Sequence, residues 1–442
     1  MPVAAIRGIN LAGARLTPEQ QAFVETLVQR HVARTATSKR LTRDSRGVLA
    51  DWKHTLSFWG QLKEAKYPIV SASSKGARVT DVDGNVYIDV AMGMGVHFFG
   101  HSPGFIHEAL HRQMEAGIEL GTQSPFTGQA AALLAELTGT ERVAFSNTGS
   151  EVVMVALRLA RAAAGRKTVV LFRNSYHGIF DGVLATEENG ETVPVGIGTP
   201  AGMIEDLVVL PYDSPASLDY IRDHGDTLAA VLVDDEMIDG FRIAPGGARE
   251  WFGVDADMAL YGKIVGGGMP IGVIAGKARF LDYIDGGQWA YGDRSGPQSE
   301  MIYFGGTFCR NPATMVTTHA ALAHANRSSR ARIERDARAL QRSPAHFEQQ
   351  ALLRIERDRL SRRHVEKGGV ECLRERRLQK ASDPVPSGPA PRRRSAEPRP
   401  ATLHHLPKRI RVVAAAGIAA GGGDDRHDVG IPAGAARNLI GR

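Results

Sequence analysis

The sequence predicts an α/β protein with a mostly parallel sheet, and two stretches carry this prediction. Residues 231–242 (VLVDDEMIDGFR) are a β-branched run that ends in carboxylates, as expected of a buried strand followed by polar residues at its carboxyl end. Residues 142–146 (RVAFS) form a second short strand pattern, followed by a turn of small residues and the helical run VVMVALRLARAAAG. Strands that alternate with helices favour a parallel sheet covered by helices.

Charge and aromatic content divide the chain into two unlike parts. The net charge is +6, but residues 326–442 contain 26 Lys and Arg against 13 Asp and Glu, and Phe347 is their only aromatic residue. Such a segment, rich in Arg, Pro, Ala and Gly, has too few apolar side chains to build a packed core. We expect it to be disordered or translated out of frame. Its few lysines and the lack of interleaved aromatics argue against nucleic-acid binding.

The cysteines and the first residues of the chain bear on its compartment. Cys309 and Cys372 are the two cysteines of the sequence, which excludes a disulfide framework and favours a reducing compartment. Residues 1–16 contain no apolar run long enough for a signal peptide or a membrane span. The expectation is a soluble, cytoplasmic protein with no membrane partner.

The first 106 residues contain local signals for a helix, a hairpin and a loop. Thr17, Pro18 and Gln20 have the spacing of a capping box with proline at the first helical position. Residues 76–90 (GARVTDVDGNVYIDV) predict a β-hairpin that turns at an Asp-Gly pair. His97 and His101 have a spacing that could serve a metal on a helix, but the surrounding glycines favour ordinary loop histidines.

The turn Asn147-Thr148-Gly149-Ser150-Glu151 lies between a predicted strand and a predicted helix. Unpaired N–H groups and the positive end of the helix dipole make such a turn a candidate anion site. Helix capping alone would also explain these residue types. Both interpretations stay open on the residues themselves.

Lys263 is followed at once by a glycine-rich run, in residues 256–272 (ADMALYGKIVGGGMPIG). Because a helix interior loses about 0.8–1 kcal/mol at each glycine, this is a loop with a special backbone shape. Lys277, in AGKARF, is the nearest competing lysine but lacks the glycines. A second candidate site group is Tyr176, which follows the predicted strand 169–172 and could stack on a flat heteroaromatic ring.

These motifs, in this order, resemble the class III aminotransferases, a family of fold-type I pyridoxal-phosphate (PLP) enzymes. The resemblance runs from about Leu16 to His324 and is greatest to glutamate-1-semialdehyde aminomutases and to the aminotransferase modules of polyketide and lipopeptide synthases. It implies the PLP-dependent transferase fold, PLP as cofactor, a small-molecule amino donor with a carbonyl acceptor, and a homodimer. A carrier-bound β-ketoacyl thioester is one candidate acceptor.

The resemblance also assigns roles to residues of this chain. Lys263 is the catalytic residue, which binds the cofactor covalently and moves a proton. Asp235 partners the ring nitrogen, with Asp234 as its rival if the register shifts by one. The remaining assignments are Thr148, Gly149 and Ser150 to the cofactor phosphate, Tyr176 to its ring with His177 beside it, and Thr307 to the phosphate of the partner subunit.

One departure from the family pattern follows the strand of residues 228–233. Class III relatives have a Glu-Pro motif here, then a helix and a second strand that ends in Asp-Glu. In this chain Asp234-Asp235-Glu236 follows the first strand directly, which leaves no room for the dozen or more residues of a parallel crossover. Either two strands have merged into one, or the sheet lacks a strand and its helix.

The predicted organisation is a helical leader (1–60), the first part of a small domain (61–124), a PLP-binding large domain (125–325) with an internal deletion near 233–234, and the tail (326–442). The small domain would therefore be incomplete. Three functions stay open: an aminotransferase, an aminomutase of the glutamate-1-semialdehyde type, and a non-catalytic protein that has kept the fold.

Overall fold

The computed structural model describes residues 15–212, 214–233 and 236–326, together with the backbone of a strand at Val412–Ala414. The expectation of a disordered tail therefore falls outside the described residues, except for this strand. Those three residues form part of the central sheet, which the composition of the tail did not indicate.

The leader and the first part of the small domain follow their local sequence signals. The capping box is confirmed: Thr17 Oγ1 accepts from Gln20 N at 3.3 Å, and Gln20 Oε1 accepts from Thr17 N at 2.9 Å. The predicted hairpin is confirmed as part of a three-stranded antiparallel sheet, and its turn is held by Asp81, whose carboxylate accepts from Asn85 N at 2.8 Å. The elements are α1 (Pro18–Arg34), α2 (Ala36–Ser45), β1 (Ser71–Lys75), β2 (Arg78–Asp81), β3 (Val86–Ile88) and α3 (Gly104–Ala116).

The large domain is built on a seven-stranded sheet with the order β4-β11-β10-β12-β9-β5-β8. β11 runs antiparallel to its two neighbours, and the other neighbouring pairs are parallel. The mostly parallel α/β prediction is therefore confirmed. The strands are β4 (Arg142–Ser146), β5 (Thr168–Phe172), β8 (Leu207–Leu210), β9 (Leu228–Val233), β10 (Met258–Gly262), β11 (Gly272–Gly276) and β12 (Val412–Ala414), and a separate hairpin joins β6 (Ala185–Glu188) to β7 (Glu191–Pro194).

Helices cover both faces of this sheet, as expected when strands are apolar throughout. Every residue of β9, β10 and β11 is buried. One core cluster joins α5 to β5, β9 and β10, and another joins α4 and α10 to β10 and β11. The helices are α4 (Phe126–Thr138), α5 (Gly149–Ala164), α6 (Pro215–Asp223), α7 (Glu236–Asp239), α8 (Gly247–Phe252), α9 (Ala278–Asp285) and α10 (Pro312–His324).

The structure distinguishes the two interpretations of the shortened segment after Val233. A merged strand would pair with β5 on one side and β10 on the other, but β9 pairs with β5 and β12. The merged-strand interpretation is therefore wrong for this structure. One strand position between β9 and β10 is left over, and the tail strand β12 lies in it.

Among the described helices, none has the length and apolar composition that crossing a membrane requires.

Candidate active site

The candidate site lies at the edge of the sheet where the parallel strands have their carboxyl ends. In open α/β sheets this edge is where ligands bind. Ser146 ends β4, Gly262 ends β10, and both are register partners of Gly272 at the start of β11. A side chain on Gly272 would reach within 2.1 Å of Thr148 O, so glycine is needed for the turn after β4 to fold back over β11. The turn at Thr148 and the loop at Lys263 therefore begin side by side.

The turn after β4 is a capping box, so the capping interpretation is confirmed. Thr148 is the N-cap of α5, and its Oγ1 accepts from Glu151 N at 3.2 Å. Glu151 Oε2 in turn accepts from Thr148 N at 3.0 Å, Asn147 N at 2.7 Å and Ser146 Oγ at 2.6 Å. Burial raises the pKa of Glu151, but these hydrogen bonds outweigh it and hold the pKa below its ordinary value.

The next two residues of the turn offer donors to an anion. Gly149 and Ser150 begin α5, where backbone N–H groups point out of the helix along its dipole. Ser150 Oγ accepts from Ile179 N at 3.0 Å and can donate its own hydrogen. Gly178 has a φ of +92°, and a side chain there would lie 2.3 Å from Ser150 Oγ, so only glycine lets this loop approach α5 so closely.

Tyr176 and His177 follow β5 and lie on the loop that approaches Ser150. Tyr176 is half-buried, and burial raises the pKa of its phenol. His177 is 5% exposed, and burial lowers its pKa to about 3, so the ring is neutral. The described part of the chain gives neither ring nitrogen of His177 a hydrogen-bond partner. The N–H groups at Gly149 and Ser150, with the Ser150 hydroxyl, form a candidate anion cradle. A buried polar ring without a protein partner beside this cradle fits a ligand site.

Lys263 stands at the end of β10 in a left-handed backbone conformation, with a φ of +46°. This conformation is rare for residues other than glycine and marks functional sites when surrounding structure holds it. Here a short 3₁₀ turn, Lys263–Gly266, is anchored by α10, because Thr317 Oγ1 donates to Gly266 O at 2.8 Å. A side chain on Gly267 would lie 3.1 Å from Thr317 O, so the glycine lets the loop lie against α10.

Asp239 and Arg242, two charged residues of the segment after β9, interact with each other, and Asp239 also interacts with Lys263. Sequence reasoning assigned neither residue to the site. Burial raises the pKa of the Asp239 carboxyl, and the positive charges of Arg242 and Lys263 oppose this. The Arg242 guanidinium lies 5.5 Å from the centre of the Phe98 ring, a cation–π contact. Burial lowers the pKa of Arg242, and Asp239 opposes this shift. The sequence signal was present, since Asp239 and Arg242 lie in the same DEMIDGFR motif as Asp235.

Met237 joins this segment to both other parts of the site. A side chain on Gly149 would lie 2.9 Å from Met237 Cε, and one on Gly262 would lie 2.4 Å from Met237 Sδ. The buried thioether therefore fills the space between the anion cradle and the strand that carries Lys263. Asp234 and Asp235 precede it in the chain but lie outside the described residues, so the choice between them stays a prediction.

The loop that carries Thr307 also contacts the turn after β4. Cys309 Sγ lies 3.7 Å from Asn147 Nδ2 and 3.8 Å from Ser146 Oγ. The loop therefore contacts the turn after β4 of the same chain, and the Thr307 side chain is exposed to solvent.

The competing lysine lies at the opposite end of β11. Lys277 Nζ lies 3.1 Å from Asp257 Oδ1 and 3.2 Å from Asp255 Oδ1. Because β10 and β11 are antiparallel, these residues stand at the amino end of β10, one strand length from Lys263.

His97 and His101, the two histidines of the glycine-rich loop, contact each other. Their ring centres are 4.3 Å apart, and His101 Nε2 lies 2.8 Å from Asp89 Oδ2. Within residues 15–212, 214–233 and 236–326, no group of three or more His, Cys, Asp or Glu side chains could hold a metal ion.

Comparisons with known proteins place the chain in one family. The family model for class III aminotransferases matches residues 61–229. The glutamate-1-semialdehyde 2,1-aminomutase of Archaeoglobus fulgidus is 31% identical over 291 residues, which cover 58% of this chain and 67% of the relative. The chain belongs to the class III aminotransferase family. The aminomutase of Aquifex aeolicus is also 31% identical, and the match covers 65% of its length, just under two thirds.

Solved structures of transaminases agree with this assignment. A transaminase with PLP bound has a TM-score of 0.59 and 26% identity, over 67% of this chain and 76% of that one. An omega-transaminase from Sphaerobacter thermophilus has a TM-score of 0.57 and 28% identity, over 66% of this chain and 73% of that one. The predictions of the PLP-dependent transferase fold and of PLP as the family's cofactor are confirmed.

The residues at this edge of the sheet have the chemistry that PLP binding requires. The cofactor needs an anion site for its phosphate, a lysine nearby, and polar groups beside its ring. Three groups at this sheet edge meet these needs: the donors at Gly149 and Ser150, the strained Lys263, and the His177 ring, which has no partner among the described residues.

Replacing Glu151 with alanine is expected to lower the melting temperature of the protein. The change removes the acceptor for Ser146 Oγ and for two backbone N–H groups, and loss of a helix cap costs about 0.5–2 kcal/mol. Thermal unfolding measures the effect. The exposed Glu205, changed to alanine, is the matched control and should leave the melting temperature unchanged. Equal melting temperatures for both variants would contradict the capping role.

Proposed function

We propose that this protein is a cytoplasmic, homodimeric, PLP-dependent aminotransferase that moves an amino group from a small-molecule donor to a carbonyl acceptor. The observation that carries the proposal is the position of Lys263, at the carboxyl end of β10 and beside the anion cradle. The family assignment supports the class of reaction.

The cofactor supplies an electron sink for a carbanion at the substrate's α-carbon. Thr148, Gly149 and Ser150 would bind its phosphate through backbone and hydroxyl donors. Tyr176 would stack on its ring, with His177 beside it, and Asp235 would keep the ring nitrogen protonated. Thr307 would donate to the phosphate of the partner subunit, so that each site would need both subunits of the dimer.

Lys263 Nζ would hold the cofactor and would then act as the acid–base group that takes the proton from the substrate's α-carbon. It must be neutral to act, and nearby cations favour the neutral amine. Asp239 and Lys263 interact electrostatically, and this interaction opposes the burial that raises the pKa of the Asp239 carboxyl.

An aminomutase is the second candidate function, and the names of the relatives favour it. Several relatives at 31–32% identity are named glutamate-1-semialdehyde 2,1-aminomutase. In an aminomutase both half-reactions use one substrate, so no separate donor is consumed. The names of the relatives and of the solved structures give no support to a carrier-bound acceptor. Amino transfer to such an acceptor stays a narrower form of the first candidate function.

Isotope tracing separates these candidates. The protein is loaded with PLP and given an amino-aldehyde labelled with nitrogen-15, together with an unlabelled amino donor. Retention of the label on the rearranged carbon skeleton, with no donor consumed, indicates an aminomutase. Addition of unlabelled nitrogen at the aldehyde carbon, with conversion of the donor to its carbonyl product, indicates a transaminase.

The third candidate is a non-catalytic protein that keeps the fold, and the length of the match favours it. The match covers 65% of the Aquifex aeolicus relative, so residues that line the substrate site in that protein can lie in the unmatched third. Binding of PLP without turnover of any amino donor or amino-aldehyde would support this candidate and contradict the first two.

A further inference from the structure

The central sheet has a strand position that the family-like part of the chain leaves unfilled. β9 and β10 are not paired with each other, and one strand position separates them. Because neighbouring strands lie about 4.7–4.9 Å apart, these two strands are about twice that distance from each other and cannot exchange hydrogen bonds directly.

This position is deep in the core. With β12 in place, Ala230, Val231 and Leu232 of β9 are 0% exposed, as are Met258 and Ala259 of β10. Backbone N–H and C=O groups of β9 and β10 that face the position would lose their partners without β12, and a buried backbone group without a partner is strongly disfavoured. The two strands therefore need a strand between them, or a rearrangement that brings them together.

Helix α5 opposes such a rearrangement. It packs against β9, β10 and β11 at once, and its Val152, Leu157 and Leu159 are almost completely buried in the cluster that joins these strands. Bringing β9 next to β10 would shift one side of the sheet by a full strand width under this helix. That movement would break a core packed at close to crystal density.

A segment of the tail occupies the position with regular register on both sides. Val412, Val413 and Ala414 pair in parallel with Val231, Leu232 and Val233 of β9. On the other side, Val413 and Ala414 pair in parallel with Met258 and Ala259 of β10.

We propose that residues 412–414 are an intrinsic strand of the PLP-binding domain, supplied by the tail in place of the strand and crossover helix that are absent after Val233. The local sequence agrees, since IRVV at 410–413 is a β-branched run in a tail that is otherwise rich in Arg, Ala, Gly and Pro. The tail is then required for the stability of the large domain. This inference uses the geometry of the sheet alone and is independent of the catalytic role of Lys263.

The test compares a proline substitution in the tail strand with two control substitutions, in the full-length chain without cofactor. Val413→Pro removes a backbone donor from the middle of the tail strand, and proline is not accommodated in central strands. Val413→Ala keeps the donor and serves as the matched variant, and Val429→Pro places a proline in the tail outside the strand. We expect Val413→Pro to melt at least about 2–4 °C lower than both controls.

Amide hydrogen exchange supplies a measurement that does not depend on any variant folding. In the unaltered protein, the amides of residues 412–414 should exchange far more slowly than those of residues 420–424, because strand hydrogen bonds protect them. In Val413→Pro, exchange at 231–233 and 258–259 should accelerate. Unprotected amides at 412–414 in the unaltered protein, or equal melting of Val413→Pro and Val429→Pro, would overturn the proposal.

Discussion

Replacing Lys263 with alanine is expected to abolish covalent retention of PLP and to lower amino transfer at least about 10²–10⁴-fold, the range contributed by a positioned proton-transfer group. The residue lies beside the anion cradle, and Lys277 at the other end of β11 cannot replace it. The measurements are the amount of pyridoxyl group that stays bound after borohydride reduction and gel filtration under denaturing conditions, and kcat with a saturating donor.

The matched control is Lys277→Ala. Asp257 keeps its ion pair with Arg279 in that variant, so the local fold is expected to hold. Its PLP retention and kcat should equal those of the unaltered protein. Full activity in Lys263→Ala, together with loss of activity in Lys277→Ala, would move the catalytic role to the other edge of the sheet.

Replacing Glu236 with glutamine is expected to flatten the dependence of stability on pH. Glu236 is 1% exposed, its Oε1 accepts from Arg249 N at 2.8 Å, and the described residues give its Oε2 no partner. Burial raises the pKa of this carboxyl from 4.5 to about 7, while hydrogen bonds and the charge of Arg249 oppose the rise.

The direction in which the free energy of unfolding changes with pH follows from the protons bound by the folded and unfolded states. Between the ordinary pKa of 4.5 and the folded value of about 7, the native state holds a proton that the unfolded state has released. The free energy of unfolding therefore falls as the pH rises through this window, by up to about 3 kcal/mol. Glutamine carries no titrating proton, so the part of the fall in the free energy of unfolding that is due to Glu236 should disappear.

Urea denaturation at pH 5 and pH 8 measures the effect. The difference in the free energy of unfolding between the two conditions should be smaller for Glu236→Gln than for the unaltered protein. Glu205→Gln, at an exposed position, is the control and should leave the difference unchanged. An unchanged difference in Glu236→Gln would show that the buried carboxyl does not titrate in this window.

The elements that could be predicted from sequence are those whose signals are local. The capping box at Thr17, the Asp83-Gly84 hairpin turn and the N-cap at Thr148 each depend on residues a few positions apart. The β-branched run at 228–233 likewise predicted β9. β9 is buried along its whole length, so the β-branched preference and the burial agree there.

The features that the sequence did not reveal depend on distant contacts. The tail strand pairs with strands far away in the chain, and its neighbours in the sequence have the composition of a disordered segment. Met237 lies between Gly149 and Gly262, two glycines that are separate in sequence and meet only in the folded sheet. The approach of Asp239 to Lys263 depends in the same way on β9 and β10 ending at one edge.

The most direct test of the central claim is chemical labelling of the lysine that holds the cofactor. The protein is incubated with PLP, reduced with borohydride to fix the covalent bond, digested, and mapped by mass spectrometry. We expect the pyridoxyl label on Lys263. Label on Lys277, or on no lysine, would contradict it.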